Sequence, residues 1–114
     1  MTPEQAKAAY RRQIGRNGGP VTLRRGLSGG GGPEVTFKAR VTGYEPQELT
    51  GNVQQGDSKV IFMADDLGDF PMPIKSGSTD AILQGARKMT VQAVDDQTRR
   101  VAGVLIAYEL RVRG

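Results

Sequence analysis

Apolar and polar residues change their period once along the first quarter of this 114-residue chain, and the change divides it into two kinds of structure. Ala6, Tyr10 and Ile14 recur every four residues, a narrow helical stripe. Thr2 stands as N-cap before them, Pro3 at the first helical position and Gln5 where it closes a capping box. A short helix is expected to about Ile14, stopped by Gly15. From Val21 the period becomes two: Val21 and Leu23 oppose Thr22 and Arg24, and Val35, Phe37, Ala39 and Val41 oppose Thr36, Lys38 and Arg40. Lys59 to Ala64 is a nearly continuous apolar run and predicts a strand buried on both faces. Asp80 to Leu83 and Arg87 to Val94 form the arms of a hairpin turning near Gly85, with Met89, Val91 and Ala93 on one face. Val104 to Arg113 reads as the longest strand, alternating throughout. Six short strands with turn signals between them predict a mainly β fold, a small β-barrel or sandwich with a short N-terminal helix and long loops. One domain over residues 1–114 is expected, helical over 1–16 and barrel over 20–114.

Long connections interrupt this pattern. Gly29, Gly30, Gly31 and Gly32 lead into Pro33 and a strand, so neither glycine-rich phosphate motif fits and Pro33 removes a donor such a cradle would use. The run reads as slack between strands. Residues 43–58 form a second polar loop with room for one helical turn at Pro46 to Leu49. Residues 65–78, punctuated by Pro71, Pro73 and Gly77, form a third connection.

Composition narrows the chemistry. The chain has no cysteine and no histidine, which excludes disulfides, thiolate zinc sites and the side chain that most often moves protons near neutral pH. No catalytic set stands out, and a non-enzymatic protein without cofactor or metal is expected. Asp65, Asp66 and Asp69 could gather a hard cation, but their spacing lacks the order of a calcium loop. No segment has the length and apolarity of a membrane span, and the first residues lack a signal-peptide hydrophobic region. A soluble protein made and used in the cytoplasm is expected. Hydrophobic residues make up 37% of the chain and Trp is missing, so the core must use Val, Ile, Leu, Met and Ala with little aromatic bulk.

Charge is segregated. Residues 1–40 carry a balance of +6, residues 41–80 of −5 and the remainder of +3, for a net +4. Such segregation suits a polyanion partner, or identical subunits whose basic and acidic faces meet head to tail. Arg11, Arg12, Arg16, Arg24 and Arg25 are the candidate basic patch. Reversing Arg24 and Arg25 is expected to weaken assembly more than folding. A sequence-tolerant nucleic-acid groove also needs exposed aromatics, and Phe37 and Tyr108 fall on apolar faces, leaving mainly Tyr10 and Tyr44.

The segments ARVTGYEPQELTGNVQQGDSKVIFMADDL, FPMP and VQAVDDQTRRVAGVLIAYELRVRG resemble the small head-tail joining proteins of tailed bacteriophages and prophages, over about residues 20–114. The QGDSKVIF segment and the C-terminal stretch are the most specific parts. The resemblance implies a β-barrel subunit of the head-closure, or stopper, ring in the virion neck, assembled in the host bacterial cytoplasm. It implies partners as well: copies of itself in a ring of six- or twelve-fold symmetry, portal and adaptor proteins above, tail proteins below, and packaged DNA held without sequence preference. By position it makes Thr50, Gly51, Asn52, Gln54, Gln55 and Gly56 a channel-facing loop. The four glycines would serve a mobile arm toward a neighbouring ring, and Arg11, Arg12, Arg24, Arg25, Asp65 and Asp66 would be contacts between subunits or rings. Tail-terminator or tail-completion rings, and a small nucleic-acid-binding barrel, are the alternatives.

Overall fold

The computed structural model describes residues 2–26, 32–44, 53, 56–68, 70, 74 and 80–114. Helix α1 spans Pro3–Asn17 and is followed by β1 (Gly19–Arg25), β2 (Glu34–Gly43), β3 (Ser58–Met63), a 3-10 turn (Ala64–Leu67), β4 (Asp80–Gln84), β5 (Arg87–Asp95), β6 (Arg100–Val101), β7 (Val104–Leu105) and β8 (Ala107–Arg113). Six strands close into an antiparallel barrel in the order β1-β2-β3-β8-β5-β4, while β6 and β7 form a separate small hairpin. The expected mainly β fold is therefore a closed barrel and not a sandwich. Gly29, Gly30 and Gly31, the turn at 46–49, and Thr50, Gly51, Asn52, Gln54 and Gln55 lie outside the described residues.

The capping box forms as the sequence predicts: Thr2 Oγ1 accepts from the Gln5 N–H at 3.1 Å, and Gln5 Oε1 accepts from the Thr2 N–H at 2.9 Å. The helix does not stop at Gly15. It runs one half-turn further because Gly15 faces open space, where a helical glycine costs only about 1 kcal/mol relative to Ala. The stop is at Gly18, whose N–H bonds the Ile14 carbonyl at 2.7 Å. A Cβ there would lie 2.5 Å from the Ile14 oxygen and 2.7 Å from the Ala39 oxygen, so only glycine lets the chain turn against β2.

Strand β3 explains the shape of the core. Val60 and Phe62 point into the barrel, where Phe62 stacks on Phe37 at 4.5 Å and on Tyr108 at 5.5 Å between ring centroids. Ile61 and Met63 point out and meet Ala6, Ile14, Ile106 and Ala107 in a second cluster beneath α1, with Tyr10 and Val101 at its margin. The continuous apolar run at 59–64 is the signature of a wall shared by two cores. Four of the chain's six aromatic residues belong to the first of them, so the barrel interior has more aromatic bulk than the composition suggests.

Two strand expectations are corrected. Ala93 does not share the face of Met89 and Val91, because a bulge between Val91 and Ala93 shifts the register; Val94 packs on the core and Ala93 is exposed. The strand expected over 104–113 breaks at Ile106. Its N–H bonds the Arg99 carbonyl and its carbonyl accepts from the Ala64 N–H, both at 3.0 Å, and its side chain turns to the helix cluster. Leu105 remains on the barrel cluster, so the apolar alternation passes through a kink that it does not reveal.

The segregated charges meet within the chain. Lys7 pairs with Asp65 at 3.2 Å, Arg11 with Asp66 at 3.3 Å, Arg24 with Glu34 at 2.9 Å and Arg25 with Asp80 at 2.9 Å. In three of these pairs the basic first third neutralises acids of the middle third in the same molecule, while Arg24 pairs with Glu34 inside its own segment. Arg25 is buried against a fully buried Asp80, so its reversal brings two carboxylates together out of water. Arg25→Glu is expected to lower stability by about 3 kcal/mol or more, whereas Arg24→Glu, at an exposed pair, costs about 1 kcal/mol or less. Urea unfolding of the two variants measures the difference, and equal midpoints would contradict the buried pair.

Candidate functional site

A barrel whose interior is filled by side chains offers its ends and outer wall for function. Successive antiparallel strands put the connection after Arg25 at one end of the barrel and the connection after Gly43 at the other. Each is anchored by an arginine–aspartate clamp on a buried aspartate, and at the first end the arginine is buried as well.

At the first end, Arg25 and Asp80 are register partners on β1 and β4. The guanidinium donates from Nε and Nη2 to the two carboxylate oxygens at 2.9 and 3.0 Å, and this bidentate bond holds Arg25 firmly protonated. Phe70 lies under the guanidinium with its ring centre 5.0 Å away. The Arg25 N–H also bonds the Pro33 carbonyl at 2.9 Å, which ties together the two sides of the glycine connection.

At the second end, Asp57 closes the polar connection between β2 and β3 and is 3% exposed. Arg113 donates to it from Nε at 2.7 Å and Nη2 at 3.1 Å, and Arg111 Nε stands 3.7 Å away. The Asp57 hydrogen bonds push the Arg113 pKa up. Arg113 also reaches Gln92 Oε1 at 3.5 Å, the residue at the β5 bulge, so the bulge orients part of the clamp. Gly56 precedes Asp57 with φ of 98°, a conformation that L side chains rarely adopt.

The outer wall carries a third feature. Arg40, Thr42, Gly43, Tyr44, Lys59, Ile61 and Arg99 line an open depression of about 530 Å³ on β2 and β3 beside α1. A neighbouring hollow of about 390 Å³ is lined by the C-terminal half of α1, including Arg12 and Arg16. A hydrogen bond of 2.9 Å from Arg99 Nη1 to Tyr10 Oη joins their rims. Glu109 accepts from Arg99 Nη2 at 2.7 Å, and the Lys59 ammonium stands 5.1 Å from the Tyr44 ring centre.

Of the sequence-chosen contacts, Arg11, Arg24, Arg25, Asp65 and Asp66 have partners in their own chain. Arg12 is exposed without an ion pair among the described residues. Gly32 and Gly56 sit at the roots of the two connections. No group of three acids suited to a metal ion occurs among the described residues, Asp69 lying outside them. Sequence reasoning passed over Asp57, Asp80 and Arg113. The available signal was an acid standing directly before each apolar strand, with an arginine at a position that otherwise reads as surface. Comparison with protein-family models, curated proteins and solved structures gives no match for this chain.

Replacing Asp57 with Asn removes the charge from the second clamp while keeping its shape. Amide exchange at Ser58 and Val112, which face each other across β3 and β8, is expected to speed up about tenfold, since charged hydrogen bonds are the stronger kind. Exchange at Leu23 and Ile82, paired across β1 and β4, should stay unchanged.

Acid sensitivity has a separate source. The Thr98 hydroxyl at 2.6 Å, then the N–H groups of Thr98 and Gln97, hold the Asp95 carboxyl below its usual range. A folded value below the unfolded one of about 3.9 gives stability that is complete above it and is lost as pH falls through the folded value. Thr98→Val removes the largest of these causes. Urea midpoints between about pH 5 and pH 2 should therefore fall less steeply in the variant.

Proposed function

We propose that this chain is a structural subunit of a head-tail connector in a phage-like particle, a stopper ring that closes the head, retains packaged DNA and offers a docking surface to the tail. The observation that carries the reading is the pair of long connections leaving opposite ends of one closed barrel, each rooted by an arginine clamped on a buried aspartate. A ring subunit between two other rings needs this division: one end faces the platform above or the channel, and the other faces the tail. Thr50, Asn52, Gln54 and Gln55 belong to the connection held by Asp57, and a rigid root lets such a segment be aimed across a channel. Its hydrogen-bonding side chains include no Lys or Arg, so it would lie near DNA without gripping the phosphates.

Apart from Arg12, the charged residues expected from sequence as subunit contacts are paired within the chain, while Arg11, Arg24 and Asp65 keep more than half of their side-chain surface exposed. Among the described residues, the exposed face of α1 with Arg12 and the β6–β7 hairpin with Val104 are further candidate contact surfaces.

Electron microscopy of particles made when the gene is disrupted in its phage or prophage tests the reading. Emptied capsids beside complete, unattached tails are the expected result. Full heads beside tails of irregular length would favour a tail terminator, and normally joined particles would overturn the neck assignment.

A further inference from the structure

The outer-wall depression has a chemistry of its own that does not depend on the ring. Most of the described acids are engaged: Asp57, Asp65, Asp66, Asp80, Glu34 and Glu109 all bond arginine or lysine. The uncompensated charge of the described surface is therefore positive. Arg40 concentrates it, being half-buried on the depression's wall and making no ion pair or side-chain hydrogen bond among the described residues. Lys59 and Arg99 line the same space, and Arg12 and Arg16 line the hollow beside it. Glu109, bonded to Arg99, is the acid that adjoins them.

The geometry points to this depression as a binding site for the sugar-phosphate backbone of duplex DNA, with Arg40 and Lys59 contacting phosphates and Arg99, held by Tyr10 and Glu109, forming the wall beside them. An acidic protein segment is the competing occupant, and two features disfavour it. The depression lies on the face of the sheet where β2, over 40–43, pairs with β3, so its floor offers no free strand edge to a peptide. Ile61, itself largely buried, is the single aliphatic residue in the lining, and protein partners anchor through apolar and aromatic pockets. The Tyr44 ring faces the Lys59 ammonium, a charge-bearing wall suited to backbone contact. Recognition without base contacts is sequence-independent and strongly dependent on salt.

The test uses the full chain and a fluorescent duplex of about 20 base pairs, followed by polarisation across a salt series, with polyglutamate as competitor. Two phosphate contacts predict a log-log slope of about −2, and Arg40→Gln should weaken binding about fivefold and reduce the slope by about 1. Lys88→Gln is the control, because Lys88 is exposed on the β4–β5 side, opposite β2 and β3 in the barrel order. It should bind like the parent. Circular dichroism confirms that both variants are folded. Equal loss in the two variants would mean diffuse charge and overturn the site. Absence of binding, an unaffected Arg40→Gln, or polyglutamate competing as well as duplex would also overturn it, the last in favour of an acidic protein partner.

Discussion

Closure of the sheet is the constraint on which the rest of this structure depends. Pairing β1 with β4 and β5 with β8 gives all six barrel strands two neighbours and closes the sheet on itself, with β2 bonded to β1 over 34–39 and to β3 over 40–43. What the molecule presents outward is then its connections and its side chains. Closure also sets the size of the interior, which the Phe37, Phe62 and Tyr108 stack fills together with Leu23, Ile82, Met89 and Leu110. With that space occupied, the barrel is a solid support.

Placement of the arginines stems from the same constraint. Where a long connection returns to a closed wall, the residue at its root must be held in register. Asp80 and Asp57 meet this need by accepting bidentate bonds from arginines on adjacent barrel strands. Removing two charges from water is costly, and the full set of hydrogen bonds offsets that cost. The specificity gained is positional: each clamp can close in one register only.

The strand pattern was readable because alternation survives in β1 and β2, where neither bulge nor kink intervenes. The doubly apolar run at β3 correctly announced a wall with two buried faces. What could not be read were the β5 bulge and the break at Ile106, since a one-residue shift leaves a sequence that still alternates. The charge pattern misled for a different reason. Segregation along the chain says that complementary surfaces exist, and folding brought Lys7, Arg11 and Arg25 onto the acids of their own molecule. The clamps themselves lay hidden because a buried arginine or aspartate has the same letter as a solvated one. Arg40, by contrast, was assigned correctly to the outer face of its strand, but the cations beside it come from β3 and the β5–β6 connection, which no spacing along the chain places there.

Gly18 has a consequence for how copies of this protein could come together. The chain passes from α1 to β1 with a single residue between them, and that residue lies against the Ile14 and Ala39 carbonyls. There is no slack at this junction, so α1 cannot reach across to cover another copy's barrel without dismantling its own first strand. Arm exchange is closed off on this side of the molecule. Any copies that associate would do so with the helix-covered core of each already complete.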